Sequence, residues 1–299
     1  MNGTGELSDH IERWESLRRR CGGPIYASPH FSKLWLEAFE DAASARVLLV
    51  EDKGDLVGVA PLMLKRRRIA GVPFRTLMLV GNSREELGFS PVTILAEPGR
   101  RDVIDAMVSK MNGLEWNVLT TMYMDDNEST SRFAAGAKAT GRRCTSAPSS
   151  AVARAIPEEG DIAAILSRNT RKSMYRAMRA LEQQGRITFR PVSLDGADTA
   201  VGTYAKQHIE RWADKGGSFF QDDRNTRFLA SIVKASLSGG FGYAYELLID
   251  DEVAAQDFGF LENEKAWGYR VGMNVAFSDR SPGLVSTYNC LNALRDRGI

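Results

Sequence analysis

The fold is decided by residues 242–273 in the second half of the chain, which read GYAYELLIDDEVAAQDFGFLENEKAWGYRVGM. Three runs rich in aromatic and aliphatic residues alternate here with two short polar turns, Asp250-Asp251 and Glu262-Asn263-Glu264. Such runs, separated by turn residues, are typical of antiparallel strands joined by hairpins. The stretch therefore predicts a three-stranded meander with strands from Gly242 to Ile249, Glu252 to Leu261 and Lys265 to Met273.

Helical patterns lie on both sides of this meander. The segments before it are predicted as three helices and one strand, about Asp161 to Gln184 (helix), Ile187 to Val192 (strand), Ala197 to Lys215 and Asp223 to Leu237 (helices). After it, a loop through Ser281-Pro282-Gly283 leads into a helix from Leu284 to Arg297, because proline is favoured where a helix begins. Helices that flank a meander favour a domain in which helices cover an antiparallel sheet.

The first half of the chain repeats this order of elements. Pro61 lies inside a predicted strand and indicates an edge strand or a bulge, because proline cannot donate a ladder hydrogen bond. The predicted elements are a helix from Ser8 to Arg20, a helix after Ser28-Pro29, a hairpin of Arg46 to Glu51 and Leu56 to Leu64, a strand from Arg75 to Val80, a helix from Gly99 to Met111, a strand from Trp116 to Met122 and a helix from Ser129 to Thr140.

Length and composition predict two domains. The chain has 299 residues, and single domains usually have about 100–200. The small, polar, proline-containing segment Thr145 to Ser150 is the best boundary. We predict tandem domains over residues 1–150 and 151–299, of α+β class (α/β three-layer), with mixed, mainly antiparallel sheets. The shared order of elements indicates an old duplication.

Charge and cysteine content exclude several classes of protein. A formal net charge of +1 gives no overall attraction to nucleic acid or to an anionic membrane. The three cysteines are scattered, which disfavours a disulfide framework and a structural zinc site and fits a reducing compartment. Neither a signal peptide nor a membrane-spanning segment is evident. We expect a cytoplasmic protein without a metal, and without sequence-specific contacts to nucleic acid.

Several short motifs resemble one branch of the GNAT superfamily. This branch comprises the acetyltransferases of cellulose or exopolysaccharide biosynthesis, which are related to the Fem-type aminoacyl transferases. The resemblance spans nearly the whole chain and rests on the order and spacing of the motifs. They are Ser28-Pro29 with Trp35, Leu56-Val-Gly-Val-Ala-Pro-Leu62, Arg168-Asn-Thr-Arg171 with Arg176 and Leu181, His208-x-x-Arg211-Trp212, and Ser281-Pro282-Gly283.

The resemblance implies two tandem GNAT-like domains with different roles. The domain of residues 1–150 is expected to be degenerate and structural, and the domain of residues 151–299 to bind acyl-CoA. In the family, a further strand follows the helix that Ser281-Pro282-Gly283 opens, and the cofactor lies where two strands splay apart. Because the sequence ends at Ile299, we expect the second domain to lack its last strands and the acyl-CoA cleft to have one wall.

The resemblance places the CoA pyrophosphate at the start of the last helix. The N-terminus of a helix offers unpaired N–H groups and a partial positive charge, which suit phosphate. Glycine permits close approach of the ligand, and Arg280 is a candidate phosphate contact. The alternative is a simple helix start with Ser281 as its capping residue. The candidate cofactor-binding residues are Arg280, Ser281, Pro282, Gly283 and Leu284.

Acyl transfer needs a base for the nucleophile and an acid for the leaving thiolate. The strand that contains Asp257 directs Gln256 and Phe258 to one face and Asp257 to the other. A carboxylate in an apolar strand is a base candidate or the partner of a nearby arginine. Tyr269 and Tyr288 are candidate acids, or they simply pack and bond a carbonyl. Gln256 is a candidate substrate contact.

His208, Arg211 and Trp212 share one helix face, since they lie at i, i+3 and i+4. They are candidates to bind an anionic or sugar acceptor, with His208 also in a catalytic role. The alternative is that His208 is structural. Five cations at helical spacing form a basic stripe that is either a solvated face or a docking site for a phosphate-rich ligand, with Arg176 as its candidate substrate contact. They are Arg168, Arg171, Lys172, Arg176 and Arg179.

These residues predict transfer of an acyl group, most simply acetyl, from CoA to an amine or hydroxyl. The expected acceptor is a sugar or lipid-linked precursor of a polysaccharide, and the mechanism is direct attack in a ternary complex. One alternative is a Fem-like transferase that uses aminoacyl-tRNA, and another is a non-catalytic module that binds CoA or scaffolds a complex. No GxSxG elbow, Walker loop or GxGxxG motif is present, which disfavours hydrolase chemistry, nucleotide hydrolysis and a dinucleotide cofactor.

Overall fold

A computed structural model describes residues 7–39, 44–69, 71–82, 92–121, 127–141, 157 and 159–299. The chain divides into two compact units, Met1–Ser150 and Ala151–Ile299. The segment from Thr145 to Ser150, predicted as a linker, lies outside the described residues.

The first unit is built on a mixed sheet with strand order β1-β2-β3-β5, in which β4 pairs with β2. The pairs β1–β2, β2–β3 and β2–β4 are antiparallel, and β3–β5 is parallel. Its described elements are α1 (Ile11–Arg20), α2 (Pro29–Ala38), β1 (Ala45–Asp52), β2 (Asp55–Ile69), β3 (Val72–Leu79), β4 (Leu95–Ala96), α3 (Arg101–Asn112), β5 (Val118–Thr120) and α4 (Glu128–Ala139).

Pro61 lies in the interior strand β2, so the prediction of an edge strand or a bulge at this residue is wrong. On one side Pro61 pairs with Val47 of β1, and the bulge of this hairpin lies at Val50 and Glu51. On the other side β2 pairs with β4 at Gly58 and Val59, and with β3 only from Leu62 onward. The Pro61 carbonyl accepts a hydrogen bond from the Val80 amide at 2.8 Å. Because the nitrogen and the carbonyl of a strand residue point to the same side, the missing N–H of Pro61 faces the gap between β4 and β3.

The second unit contains an antiparallel sheet with strand order β6-β7-β8-β9. Helices α6 and α7 pack on one face of this sheet, and α5 and α8 pack on the other. The three layers confirm the predicted α+β class. The elements are α5 (Arg168–Glu182), β6 (Ile187–Pro191), α6 (Ala197–Trp212), α7 (Asp223–Ser238), β7 (Gly242–Ile249), β8 (Glu252–Glu262), β9 (Lys265–Met273) and α8 (Pro282–Arg295).

The helix predicted from Asp161 to Gln184 is two separate elements. A 3-10 helix covers Ile162–Ile165, and α5 begins only at Arg168. The backbone between them is extended, and the Ser167 side chain accepts a hydrogen bond from the Thr170 amide, which starts a new helix. The capping chemistry of Ser167 therefore outweighs the continuous helical pattern.

A β-bulge interrupts the pairing of β8 with β9. Phe258 pairs with Arg270 and Gly259 with Gly268, so Tyr269 is the extra residue on β9. Among the described residues, β9 pairs with β8 alone and forms the edge of the sheet. A bulge at an edge strand re-aims the side chains around it, which here are Tyr269 and Arg270.

We predict that the two glycines paired at this bulge differ sharply in tolerance. A Cβ at Gly259 would lie 2.5 Å from the Trp267 carbonyl oxygen and 2.3 Å from the Tyr243 ring, whereas at Gly268 the nearest atom is 3.9 Å away. Gly259→Ala should lower the free energy of unfolding by about 1–3 kcal/mol through overpacking. Gly268→Ala is the matched control and should be nearly neutral. Urea unfolding of both variants measures the difference, and equal losses would contradict the bulge geometry.

Candidate functional site

Aromatic rings fix the position of His208 on α6. Its imidazole stacks on Trp212, with ring centroids 5.8 Å apart and an interplanar angle of 18°. Phe220 meets the same ring edge-on at 5.1 Å, and Tyr204 lies 5.9 Å away. The predicted sharing of one helix face by His208 and Trp212 is confirmed by this stacking.

A buried serine holds one nitrogen of the imidazole. His208 Nδ1 lies 2.7 Å from Ser218 Oγ, and the Phe220 amide donates to the same oxygen at 3.0 Å. Burial lowers the pKa of His208, and the positive charges of Arg270 and Arg211 lower it further. Because an imidazole near neutral pH is then uncharged, His208 is able to accept a proton.

Strand β9 brings Tyr269 and Arg270 to this face of the sheet. The Arg270 guanidinium lies 4.3 Å from the centroid of the Tyr269 ring, and its Nη1 donates to the Tyr269 carbonyl at 2.9 Å. Arg270 pairs with Phe258 of β8, whose ring meets Tyr204 of α6 edge-on at 5.5 Å. The bulge therefore connects the edge strand to the His208 cluster through one layer of aromatic rings.

Gly272 allows α6 to pack closely on β9. A Cβ at Gly272 would lie only 2.5 Å from the Tyr204 ring. Burial raises the pKa of Tyr204 to about 12, so its hydroxyl stays protonated and the side chain serves as packing. No sequence motif singles out Tyr204, Ser218 or Arg270. The only available signals were the aromatic-rich strand around Arg270 and the Gly216-Gly217 pair before Ser218.

Gln256 is completely buried. Its Nε2 donates to the Ala200 carbonyl of α6 at 2.8 Å and to Glu246 Oε1 at 3.2 Å. These hydrogen bonds connect α6 to β8. Its assignment as a substrate contact stays a prediction.

Asp257 lies on the opposite face of the sheet from His208. It is buried, and its Oδ2 accepts a short hydrogen bond from Ser286 Oγ of α8. The expectation of an arginine partner is therefore wrong. Burial raises the pKa of Asp257 to about 6, although the Ser286 hydroxyl opposes this shift. Asp257 and His208 are not brought together, and Asp257 anchors α8 to the sheet.

The N-terminus of α8 has no side-chain cap. Ser281 adopts a left-handed backbone with φ of 53°, and its hydroxyl does not cap the helix, so the alternative of a simple serine cap is wrong. Pro282 occupies the first turn, and the Leu284 amide bonds to the Ser281 carbonyl at 3.1 Å. A Cβ at Gly283 would touch only Val271 of β9, at 3.7 Å. This helix start lies beside the edge strand.

Two residues that were predicted to contribute to the acyl-CoA site interact with other side chains. Arg280 forms an ion pair with the neighbouring Asp279 at 2.5 Å, which reduces its availability to a phosphate. Tyr288 donates a hydrogen bond to Asp161 at 3.1 Å, and burial raises its pKa. Tyr288 therefore helps to tie α8 to the 3-10 helix that Asp161 caps.

The basic stripe lies on α5, on the α8 side of the sheet. Arg168, Lys172, Arg176 and Arg179 are exposed, and Arg171 is half-buried and lowers the pKa of Asp161. Within the described part of the chain these five side chains form no ion pair with a carboxylate. The structure thus presents the stripe as a solvated face.

The described residues contain neither a metal-binding cluster nor a membrane-spanning helix. No cluster of three or more His, Cys, Asp or Glu side chains is close enough to hold a metal ion among them. Nor does any helix in these segments have the length and apolar composition required to cross a bilayer.

Comparison with known proteins agrees with this architecture. Residues 168–299 match the family model described as "Acetyltransferase (GNAT) domain". This segment is therefore similar to GNAT-type acetyltransferase domains over 132 of the 299 residues. It includes α5, the whole sheet and α8, and thus both the His208 cluster and the uncapped helix start. No curated protein matches the chain.

Solved structures resemble the chain over nearly its full length. FemX covers 97% of this chain with a TM-score of 0.60 at 10% identity, and the match covers 85% of FemX. A conserved protein of unknown function from Bacteroides thetaiotaomicron has a TM-score of 0.52 at 11% identity, over 96% of this chain and 84% of that one. The C-terminal domain of a proposed lysylphosphatidylglycerol synthetase from Agrobacterium fabrum has a TM-score of 0.51 at 13% identity, over 97% and 76%. At these identities the likeness shows the fold, and it confirms the predicted fold class.

The buried Asp257 of the second unit should make stability depend on pH. Its pKa is raised from 3.8 to about 6 in the folded protein, so its contribution is fully present below pH 3.8 and is lost as the pH rises through about 6. Asp257→Asn keeps a hydrogen-bonding partner for Ser286 and removes this titration. From pH 4 to pH 7 the wild type should lose roughly 2 kcal/mol of unfolding free energy relative to Asp257→Asn. Urea unfolding at several pH values measures the difference, and a constant difference would contradict the buried, cation-free environment.

Proposed function

We propose that the GNAT-type domain transfers an acyl group, most simply acetyl, from acyl-CoA to an amine or hydroxyl of a polysaccharide-related acceptor. The observation that carries the proposal is the uncapped start of α8 beside the free edge of β9, with the His208 cluster of α6 packed on the same strand. Strand β9 thus lies beside both the proposed donor site and the proposed acceptor site. The protein would act in the cytoplasm, where acyl-CoA is present.

The start of α8 suits the phosphates of the donor. Helix N-terminal amides attract anions through their unpaired N–H groups and through the helix dipole. Because Arg280 is paired with Asp279 and the Leu284 amide bonds to the Ser281 carbonyl, the amide of Gly283 supplies the main backbone contact in this proposal. Asp257 acts indirectly as a positioning residue, since it fixes α8 through Ser286.

The His208 cluster suits the acceptor. The uncharged imidazole takes the proton of the acceptor amine or hydroxyl as its nitrogen or oxygen attacks the thioester carbonyl. The C–S bond then breaks, and the leaving thiolate receives a proton, for which Tyr269 of the edge strand is the candidate donor. Trp212 is 38% exposed and stacked on His208, so its indole offers a flat apolar surface to a sugar ring, and Arg211 lies one turn from the imidazole.

A Fem-like transferase that uses aminoacyl-tRNA is the second candidate function. The observation that favours it is the fold shared with FemX over 97% of the chain. The exposed stripe on α5, including Arg176, would then contact RNA phosphates. The third candidate function is that of a non-catalytic module that only binds CoA.

Donor binding should depend on the start of α8. Gly283→Asp adds a carboxylate that is favourable to the helix dipole but repels phosphate, so the variant should fold and lose affinity for acetyl-CoA about tenfold or more. Gly202→Asp on α6 is the matched control, since Gly202 is an exposed helical glycine with open space around it. Isothermal titration of wild type and both variants with acetyl-CoA measures the effect.

The same titration with aminoacyl-tRNA separates the alternatives. Binding of aminoacyl-tRNA but not acetyl-CoA by the wild type would favour the Fem-like function. Binding of neither would exclude both transferases. An equal loss of acetyl-CoA affinity in Gly283→Asp and Gly202→Asp would show that the start of α8 does not bind the donor.

Acyl transfer should depend on the uncharged form of His208. Since the pKa of His208 is lowered from 6.5, the rate should stay constant from pH 8 to about 6.5 and fall only at lower pH. His208→Gln should reduce kcat about 10²–10⁴-fold and abolish this acid limb. His30→Gln, an exposed histidine of the first unit, is the control and should leave the profile unchanged. An unchanged rate in His208→Gln would show that the base lies elsewhere.

A further inference from the structure

The positive charges of two arginines from different elements act on the His208 imidazole. Arg211 follows it by one helical turn on α6, and Arg270 reaches it from β9 through the layer of Phe258 and Tyr204. The positive charge of each acts on the imidazole. The cluster therefore concentrates positive potential around the proposed proton acceptor.

Neither arginine is neutralised by the described part of the chain. Arg211 and Arg270 form no ion pair there, although Glu210 and Asp214 are close to Arg211 in sequence. Other arginines of the same domain do have carboxylate partners: Arg190 lies 2.9 Å from Glu246, and Arg224 lies 2.6 Å from Asp222. The two positive charges both act on the imidazole, so an anion within reach of both guanidinium groups would be favoured by two attractive interactions.

Arg270 is held in place for such a contact. One nitrogen of its guanidinium is bonded to the Tyr269 carbonyl, and the group lies over the Tyr269 ring. The remaining N–H groups form a planar fork, which matches the two oxygens of a carboxylate or phosphate. Stacking on an aromatic ring limits the side-chain entropy that binding would cost.

We propose that the acceptor is an anionic sugar, bearing a carboxylate or a phosphate, whose charged group binds between Arg211 and Arg270 and whose ring packs on Trp212. The proposal rests on the proposed acyl transfer and specifies its acceptor class. Within the described part of the chain the Trp212 indole is 38% exposed, which leaves surface for a sugar ring. An anion bound here also offsets the two cations while leaving the imidazole free for the acceptor hydroxyl or amine.

His208 itself reports the binding of an anion. The imidazole is in contact with Tyr204, Trp212, Ser218 and Phe220, and its charged neighbours are Arg211 on its own helix and Arg270 on β9. A negative charge held between the two cations should raise the pKa of His208 by roughly one unit. Side-chain NMR of the protein with labelled histidine follows this titration, with His208→Gln to assign the signal.

The experiment compares three sugars at equal concentration and ionic strength: glucose 1-phosphate, glucuronate and glucose. We expect one or both anionic sugars to raise the pKa of His208, and glucose to leave it unchanged. Arg211→Gln and Arg270→Gln should each raise the pKa of His208 without any sugar and remove the response to the anion. Arg168→Gln on α5, an exposed cation on the other side of the sheet, is the matched control and should behave like the wild type.

The outcomes separate this inference from the proposed function. A response to glucose 1-phosphate alone, or to glucuronate alone, supports the inference and narrows the acceptor to that anion. No difference between the anionic sugars and glucose would overturn it, as would an equal loss of response in Arg168→Gln. If the protein binds an anion near His208 but does not bind acetyl-CoA, the anion site is supported and the proposed acyl transfer is contradicted.

Discussion

The second unit depends on two adjacent residues of its interior strand β8. Successive side chains of a strand point to opposite faces, so Gln256 and Asp257 each tie one helical layer to β8. Gln256 bonds the Ala200 carbonyl of α6, and Asp257 accepts from Ser286 of α8. Both side chains are buried, where an unmade hydrogen bond is costly. The relative positions of the two layers are therefore set at one point of the sheet.

This arrangement places the two halves of the proposed reaction on one strand edge. Fixing α8 fixes its uncapped start beside Val271 of β9. Fixing α6 places His208 over the aromatic layer that Phe258 and Tyr204 share. The bulge at Tyr269 then turns Arg270 toward the same cluster. Donor and acceptor sites are thus separate in sequence and on different helices, yet each is positioned relative to β9.

The sequence predicted the elements of the second unit closely and its chemistry only in part. Alternation of apolar residues and turn chemistry place β7, β8 and β9 within one residue of their observed bounds. The split before α5 was missed because Ser167 caps a new helix inside a continuous helical pattern. In the first unit, β4 has only two residues, Leu95–Ala96, too few to show any periodicity. The sequence alone does not show that Pro61 fits an interior strand. Its lack of an N–H is tolerated because this position faces the gap between β4 and β3, which only the pairing of β2 reveals.

Side-chain roles were harder to predict than elements, because they depend on neighbours from distant segments. The alternation along β8 separates Gln256 from Asp257, but only the packed structure shows that both are buried and that Ser286, not an arginine, is the partner of Asp257. Likewise, Ser218 and Arg270 become significant only where the fold brings them to His208.

The proposed binding site of the acyl donor is the start of α8 beside the edge of β9. Backbone amide NMR of the protein during titration with coenzyme A tests this site. The largest saturable changes should occur at Gly283, Leu284 and Val271, with small changes along α5. Changes confined to other segments, or an absence of saturable change at Gly283 and Leu284, would contradict it.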